Sequence, residues 1–264
     1  MSEPTALVVA EERGAARLIT LNRPEVKNAL SPALVSALQE ALADAMAAPK
    51  VRGVVLTGAG SDFCAGADLK ALQEIATKSR AENLADSQHL ARLFVAIHTG
   101  DKPVVAAVRG NALAGGSGLA CVCDRVVAED DATFGFTEAR IGFVAAIVSR
   151  FLIERTGMRV ARELLLTARR VDAAEALKIG IADELAPANE VVARAVAWIE
   201  SLKPCAPSSI RLTKKLLTGL AGRTLVDALA FAAELNATTR ATDECKEGVA
   251  AFLEKRKPRW LTES

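Results

Sequence analysis

Val104-Val105-Ala106-Ala107-Val108-Arg109-Gly110-Asn111-Ala112-Leu113-Ala114-Gly115-Gly116-Ser117-Gly118-Leu119 is the stretch on which the fold turns. Its first five residues are apolar with no polar alternation, which predicts a strand buried on both faces, as in a parallel sheet. A glycine-rich loop follows and runs into a short helix. The same order stands earlier: Val51 to Thr57 reads as a buried strand, and Phe63-Cys64-Ala65-Gly66-Ala67-Asp68-Leu69-Lys70 is a second glycine-bearing loop. In a parallel sheet both loops leave the carboxyl ends of their strands, where ligands bind. Small residues allow close approach of backbone N–H groups, and two such groups from separate loops make an oxyanion hole.

Outward from these loops, Arg17 to Leu21 and Cys123 to Ala128 read as further strands. Ser31-Pro32 marks a helix start, since Ser caps and Pro fits the first helical position. Leu34, Leu38, Leu42 and Met46 then recur at i+4 and form one apolar stripe. Residues from about Leu69 to His98 are expected to be helical. Strands alternating with helices predict a parallel α/β core with crossover connections. Beyond about Ile147 strand signals nearly vanish. Asp172-Ala173-Ala174-Glu175 reads as a capping box and Gly180 as the end of that helix. Two regions are therefore expected: a core over residues 1–195 and an all-helical lobe over 196–264.

Composition narrows the function. The 264 residues carry 33 Lys+Arg against 32 Asp+Glu, a net charge of +1, so no electrostatic footprint for nucleic acid or an anionic membrane is expected. At 51% hydrophobic and 25% charged, the chain is no disordered polymer. No apolar run reaches the roughly 18 residues of a membrane span. Met1 to Gly14 lacks a basic segment followed by an apolar one, so no secretory signal is expected. The five scattered cysteines read as reduced thiols, which points to the cytoplasm. Cys121 and Cys123 lack the second pair of a zinc site, and no metal is expected.

Familiar signatures fail. Gly58-Ala59-Gly60 follows a strand, but Phe63 stands where a dinucleotide fingerprint needs its third glycine. Gly115-Gly116-Ser117-Gly118-Leu119 approaches a nucleophile elbow, but Leu119 replaces the last glycine. His89 and His98 lie nine residues apart on one expected helix and face different ways.

Taken together the segments resemble the enoyl-CoA hydratase/isomerase (crotonase) superfamily over nearly the whole chain. The matching pieces, in order, include Leu21-Asn22-Arg23-Pro24 with Asn28-Ala29-Leu30, both glycine loops, Cys123-Asp124 and Phe134-Gly135-Phe136-Thr137-Glu138. Leu164 to Arg169, Ala173 to Gly180 and Phe252 to Pro258 continue the series. The resemblance implies a spiral of strand-strand-helix turns with a helical C-terminal lobe that trimerises, as a trimer or a dimer of trimers. It implies an acyl-CoA substrate and no cofactor beyond the coenzyme A that the substrate carries. It assigns the oxyanion N–H groups to Ala67 and Gly115. It places Arg23, Lys27 and Lys70 near the nucleotide part of CoA, with Lys255 reaching a phosphate from a neighbouring subunit. Ala65, Asp68, Leu69, Gly116, Gly118 and Phe143 complete the expected substrate surroundings.

The departures from the family pattern bear on the chemistry. Typical hydratases carry two glutamates about twenty residues apart; here Gly118 holds the first position and Glu138 the second. A carboxylate among Phe134, Phe136 and Phe143 should have a raised pKa suited to proton transfer near neutrality. Enoyl-CoA hydration with Glu138 as base is the leading expectation. Gly118 with Glu138-Ala139-Arg140-Ile141-Gly142-Phe143 resembles members acting on branched or glutaconyl-type CoA esters. An enoyl-CoA isomerase, which needs one base, is the alternative, followed by a non-catalytic acyl-CoA- or RNA-binding member. A hydroxycinnamoyl-CoA hydratase-lyase is disfavoured because that family uses tyrosines, and this chain has none.

Overall fold

The computed structural model describes residues 6–74 and 77–262, with Leu69 described by its backbone alone. In chain order the elements are β1 (Val8–Arg13), β2 (Ala16–Leu21), α1 (Pro32–Ala47), β3 (Gly53–Gly58), α2 (Leu69–Glu74), α3 (Arg80–Thr99), β4 (Val104–Val108) and β5 (Asn111–Leu113). There follow α4 (Gly115–Cys121), β6 (Arg125–Glu129), β7 (Thr133–Gly135), α5 (Ala146–Thr167), β8 (Arg170–Asp172), α6 (Ala173–Ile179) and β9 (Glu184–Ala186). Four helices close the chain: α7 (Val191–Glu200), α8 (Pro207–Leu220), α9 (Leu225–Ala241) and α10 (Asp243–Leu253).

Six strands form one sheet in the order β1-β2-β3-β4-β6-β9, parallel except for the β1–β2 hairpin. Three short strands form a second sheet, β5-β7-β8. The chain thus coils: a strand in the large sheet, a strand in the small one, then a helix, as in β4-β5-α4 and β6-β7-α5. This is the α/β spiral that the resemblance implies.

Both faces of the large sheet are buried, as the unbroken apolar runs require. Val54, Leu56, Val104 and Ala106 point into a core shared with α1, α3, α4 and α5. Their neighbours Val55, Val105 and Ala107 point the other way, onto Val191, Ala195 and Ile199 of α7. α7 runs through residue 195 and is seated on the sheet. α8 packs on α9 and on α3, and Lys214 of α8 ion-pairs with Asp124, whose Oδ2 also accepts from Val104 N at 2.7 Å.

The expected helix starts are present. Ser31 caps α1, with its Oγ accepting from Leu34 N at 3.2 Å, and Pro32 opens the helix. Asp172 caps α6, and Gly180 closes it at φ +86°. The other half of that expected box is absent, because the Glu175 carboxylate pairs with Arg169 instead. The single helix expected from Leu69 to His98 is two helices. Ser79 starts the second with a reciprocal cap: its Oγ accepts from Glu82 N, and its own N–H donates to the Glu82 carboxylate at 2.8 Å. Residues 75–76 between them lie outside the described residues. β8 and β9, in the region expected to lack strands, are three residues each and exist through their partners rather than through any pattern of their own.

Candidate active site

The two glycine loops meet because the first one joins the small sheet. Cys64 N donates to Asn111 O at 3.1 Å and Leu113 N to Cys64 O at 2.9 Å, so Cys64 forms a rung beside β5. On the other side Leu30 N donates to Gly66 O at 2.7 Å and Asp68 N to Leu30 O at 3.1 Å. Asn28, fully buried at φ +54°, holds the approach. Its Nδ2 donates to Ala59 O and Asp62 O, and its Oδ1 accepts from Arg23 N.

The loops pack backbone to backbone. Gly66 sits at φ +93°, and a Cβ there would lie 2.9 Å from Ala114 Cβ. A Cβ at Gly116 would overlap Cys64 O and lie 2.8 Å from its carbonyl carbon. Gly115 therefore stands against Gly66, the residue before Ala67: a Cβ at Gly66 would lie 3.4 Å from Gly115 N. Among the described residues no protein acceptor takes the N–H of Ala67 or of Gly115, while the first bond within α4 runs from Gly118 N to Ala114 O at 3.1 Å. Two free donors from separate loops are what an oxyanion needs. Ala114, just before Gly115, holds φ +49° and ψ −121°, a conformation natural to glycine and strained for alanine.

Glu138 enters from the next turn of the spiral. β7 pairs with β5 up to the Leu113–Gly135 rung, and Gly135 O accepts from Ala114 N at 2.6 Å. Three residues on, Glu138 opens a 3-10 turn over Glu138–Ile141. Its side chain is half-buried, and Oε2 is buried with no hydrogen-bond partner. Burial raises its pKa above the ordinary carboxylate value, against a weaker opposing pull from its own backbone N–H. Phe143 N donates to Glu138 O at 3.0 Å, which brings Phe143 beside it, half-exposed. Phe134 and Phe136 are buried in the core.

The remaining expected site residues fall into distinct settings. Arg23 and Asp68 form an ion pair at 2.8 Å; Arg23 also donates to Ala29 O, and Asp68 caps α2 through Lys70 N at 2.9 Å. The Asp68 carboxyl is held below its ordinary pKa: its bonds, that to Arg23 foremost, outweigh the largest single influence, burial, which acts upward. These two side chains hold the loop together. Lys27 and Lys70 are exposed, and Lys27 lies 4.0 Å from Asp62 with φ +52°. Ala65 N donates to Lys27 O at 2.9 Å, fixing Lys27 against the first loop. The Leu69 side chain lies outside the described residues. Lys255 is exposed just beyond α10, at φ +55°.

Gly118 is buried in α4, and its open side is closed by Val148 of α5 and by Phe94 of α3. Sequence reading missed Val148, because nothing in the α5 pattern says which apolar residue faces position 118. His89 bonds Ser36 at 3.1 Å, and His98 packs on the Phe151 ring, so each histidine has its own neighbour.

Comparison with known proteins agrees with this fold. The family described as Enoyl-CoA hydratase/isomerase matches residues 11–263. A Thermus thermophilus relative whose name places it among the enoyl-CoA hydratases is 46% identical over 253 residues, 96% of this chain and 100% of its own length. The crystal structure of an enoyl-CoA hydratase from Shewanella pealeana superposes with a TM-score of 0.91 at 30% identity, over 96% of each chain. An enoyl-CoA hydratase/isomerase from Marinobacter aquaeolei gives 0.89 at 32%, over 97% of this chain and 99% of that one. The family match over residues 11–263 and these relatives, on an α/β spiral whose two glycine loops present free N–H groups, show that the chain belongs to the enoyl-CoA hydratase/isomerase (crotonase) family.

Proposed function

We propose that the protein is an enoyl-CoA hydratase, adding water reversibly across the α,β double bond of an acyl-CoA thioester. The observation that carries this reading is the Glu138 carboxylate, half-buried, with one oxygen unpartnered and its pKa raised. In that role Glu138 takes a proton from water as the water oxygen bonds to the β-carbon. The double-bond electrons pass to the thioester oxygen, giving an enolate between the Ala67 and Gly115 N–H groups. The enolate then collapses, and Glu138 returns the proton to the α-carbon. Each oxyanion donor is worth roughly 10²–10³ in rate. Lys27 and Lys70 are the exposed cations for the CoA phosphates, and no further cofactor is proposed.

A second reading, enoyl-CoA isomerisation, is favoured by the apolar closure of position 118: one base suffices to move a proton from the α-carbon to the γ-carbon. Assay of the purified protein decides between them. Crotonyl-CoA should lose its conjugated absorbance and yield 3-hydroxybutyryl-CoA. If it is inert while a 3-enoyl-CoA gains conjugation, the isomerase reading stands instead. A branched or glutaconyl-type acyl group is the proposed substrate, supported by Gly118 together with Glu138-Ala139-Arg140-Ile141-Gly142-Phe143, which resembles members acting on such esters. Faster turnover of 3-methyl-branched than of straight enoyl-CoA esters is the expected result.

A homotrimer, or a dimer of trimers, is the proposed assembly, supported by the apolar faces of α9 and α10. Leu225, Leu229 and Phe252 are 75%, 62% and 83% exposed in the single chain. The cytoplasm is the proposed compartment, supported by three buried thiols, Cys64, Cys121 and Cys123, whose pKa values burial pushes up. No helix among the described residues is long and apolar enough to cross a membrane.

A further inference from the structure

We infer that Ser117 is a positioning residue, whose hydroxyl fixes the Gly115 N–H relative to the Glu138 carboxylate; this rests on Glu138 being the base. Ser117 is fully buried in the first turn of α4. Its Oγ donates to Ala112 O at 2.5 Å and accepts from Gly135 N at 2.9 Å. One hydroxyl thus joins the strand that leads into the second glycine loop to the strand that leads to Glu138.

The location of this bridge matters more than its energy. The β5–β7 ladder ends at the Leu113–Gly135 rung. Past that rung no strand pairing holds the two chain segments at a set spacing, yet the reacting groups lie past it. Gly135 is gripped at both of its polar atoms by residues flanking Gly115: its O accepts from Ala114 N at 2.6 Å, and its N–H donates to Ser117. From Gly135 only Phe136 and Thr137 intervene before Glu138, and Phe136 is anchored in the core at 1% exposure. The donor and the base therefore hang from opposite ends of one short clamp.

Loss of the hydroxyl frees one side of that clamp and leaves a buried N–H and a buried carbonyl without it. A displacement of about 1 Å between reacting groups costs on the order of 10²-fold in rate. A hydroxyl that served stability alone would lower the melting temperature and leave the chemistry unchanged.

Full-length Ser117→Ala and Ser117→Cys proteins test this, with wild type and Glu138→Gln beside them. Four quantities are read: kcat and KM for crotonyl-CoA, the melting temperature, and the pH at which bound acetoacetyl-CoA ionises to its ultraviolet-absorbing enolate. Ser117→Ala is expected to lower kcat at least about tenfold with KM within about threefold, and to raise the ionisation pH of the bound thioester by about one unit. Ser117→Cys, which keeps a weak donor and acceptor, should recover part of both. A folded Ser117→Ala protein with kcat and ionisation pH both at the wild-type level overturns the inference. Should Ser117→Ala fail to fold, wild-type values of both quantities in Ser117→Cys overturn it. If wild type itself does not hydrate crotonyl-CoA, the hydratase reading falls, and the acetoacetyl-CoA arm alone decides the role of Ser117.

Discussion

Val148 fills the space that a side chain at residue 118 would take: a Cβ built on Gly118 would lie 2.5 Å from Val148 Cβ and overlap its Cγ1, with Phe94 Cε1 at 3.3 Å. The absence of a carboxylate here is therefore a packed arrangement shared by α4, α5 and α3 rather than an open slot. Restoring a glutamate by one substitution would force it into a filled core.

The measurable consequence is non-additivity. Gly118→Ala overpacks the α4–α5 contact and should destabilise the protein by about 1–3 kcal/mol in denaturant titration. In a Val148→Ala background the same change should cost much less, because the added methyl takes vacated space. Equal costs in the two backgrounds would show that Val148 does not occupy the place. Gly118→Glu alone should lower stability and crotonyl-CoA hydration together, whereas Gly118→Glu with Val148→Ala should recover both in part.

The sequence made the two loops legible for a physical reason. Gly66 and Gly116 stand where backbone meets backbone, and a side chain at either would clash, so composition itself marks the spot. Ser31, Asp172 and Gly180 were equally readable, since a cap needs one residue type at one position. The three-residue strands β5, β7, β8 and β9 carry no such mark. Each is held by rungs to partners far along the chain, as Phe134 is to both Ala112 and Val171. Arg23 and Asp68 show the converse limit. The family resemblance implies substrate surroundings for both, but neither it nor their charge reveals that the two side chains bind each other.

Ala114 offers a test of strain at the site. Its φ of +49° with ψ −121° costs an alanine about 1–3 kcal/mol, and a glycine far less. Ala114→Gly removes that strain but loosens the unfolded chain by roughly 0.4–1 kcal/mol. Unfolding stability should therefore rise or stay within about 1 kcal/mol, with turnover near wild type. Ala114→Val, β-branched and unable to hold this backbone, should abolish turnover and lower the melting temperature by several degrees.

Assembly is checked by light scattering. Leu225 and Leu229 of α9 and Phe252 of α10 are large apolar side chains left exposed in the single chain, which fits their burial between copies. At micromolar concentration the expected mass is three or six times 27.7 kDa. Leu229→Glu should shift the population toward the monomer. A wild-type protein of one chain's mass would contradict the proposed trimer.

Glu138 couples function to stability with opposite signs. Burial raises its folded pKa, so the folded state favours the protonated form, and the charged form is held at a cost. The sign follows from linkage: the unfolded carboxyl ionises near its ordinary value, about 4.3, while the folded one holds its proton to higher pH. Stability is thus lost as pH rises from that ordinary value through the folded pKa. Glu138→Gln removes the charge and should raise the melting temperature at pH 7, with the gain shrinking toward pH 4. The same substitution removes the only proposed proton carrier. It should lower kcat for crotonyl-CoA at least about a hundredfold with KM within a few-fold. In the wild type, the acid limb of kcat/KM should fall at a pH above the ordinary glutamate value and be missing in the glutamine variant. A Glu138→Gln protein that keeps kcat within about threefold of wild type, or that is less stable at pH 7, would mean that the buried carboxylate serves the fold rather than the reaction.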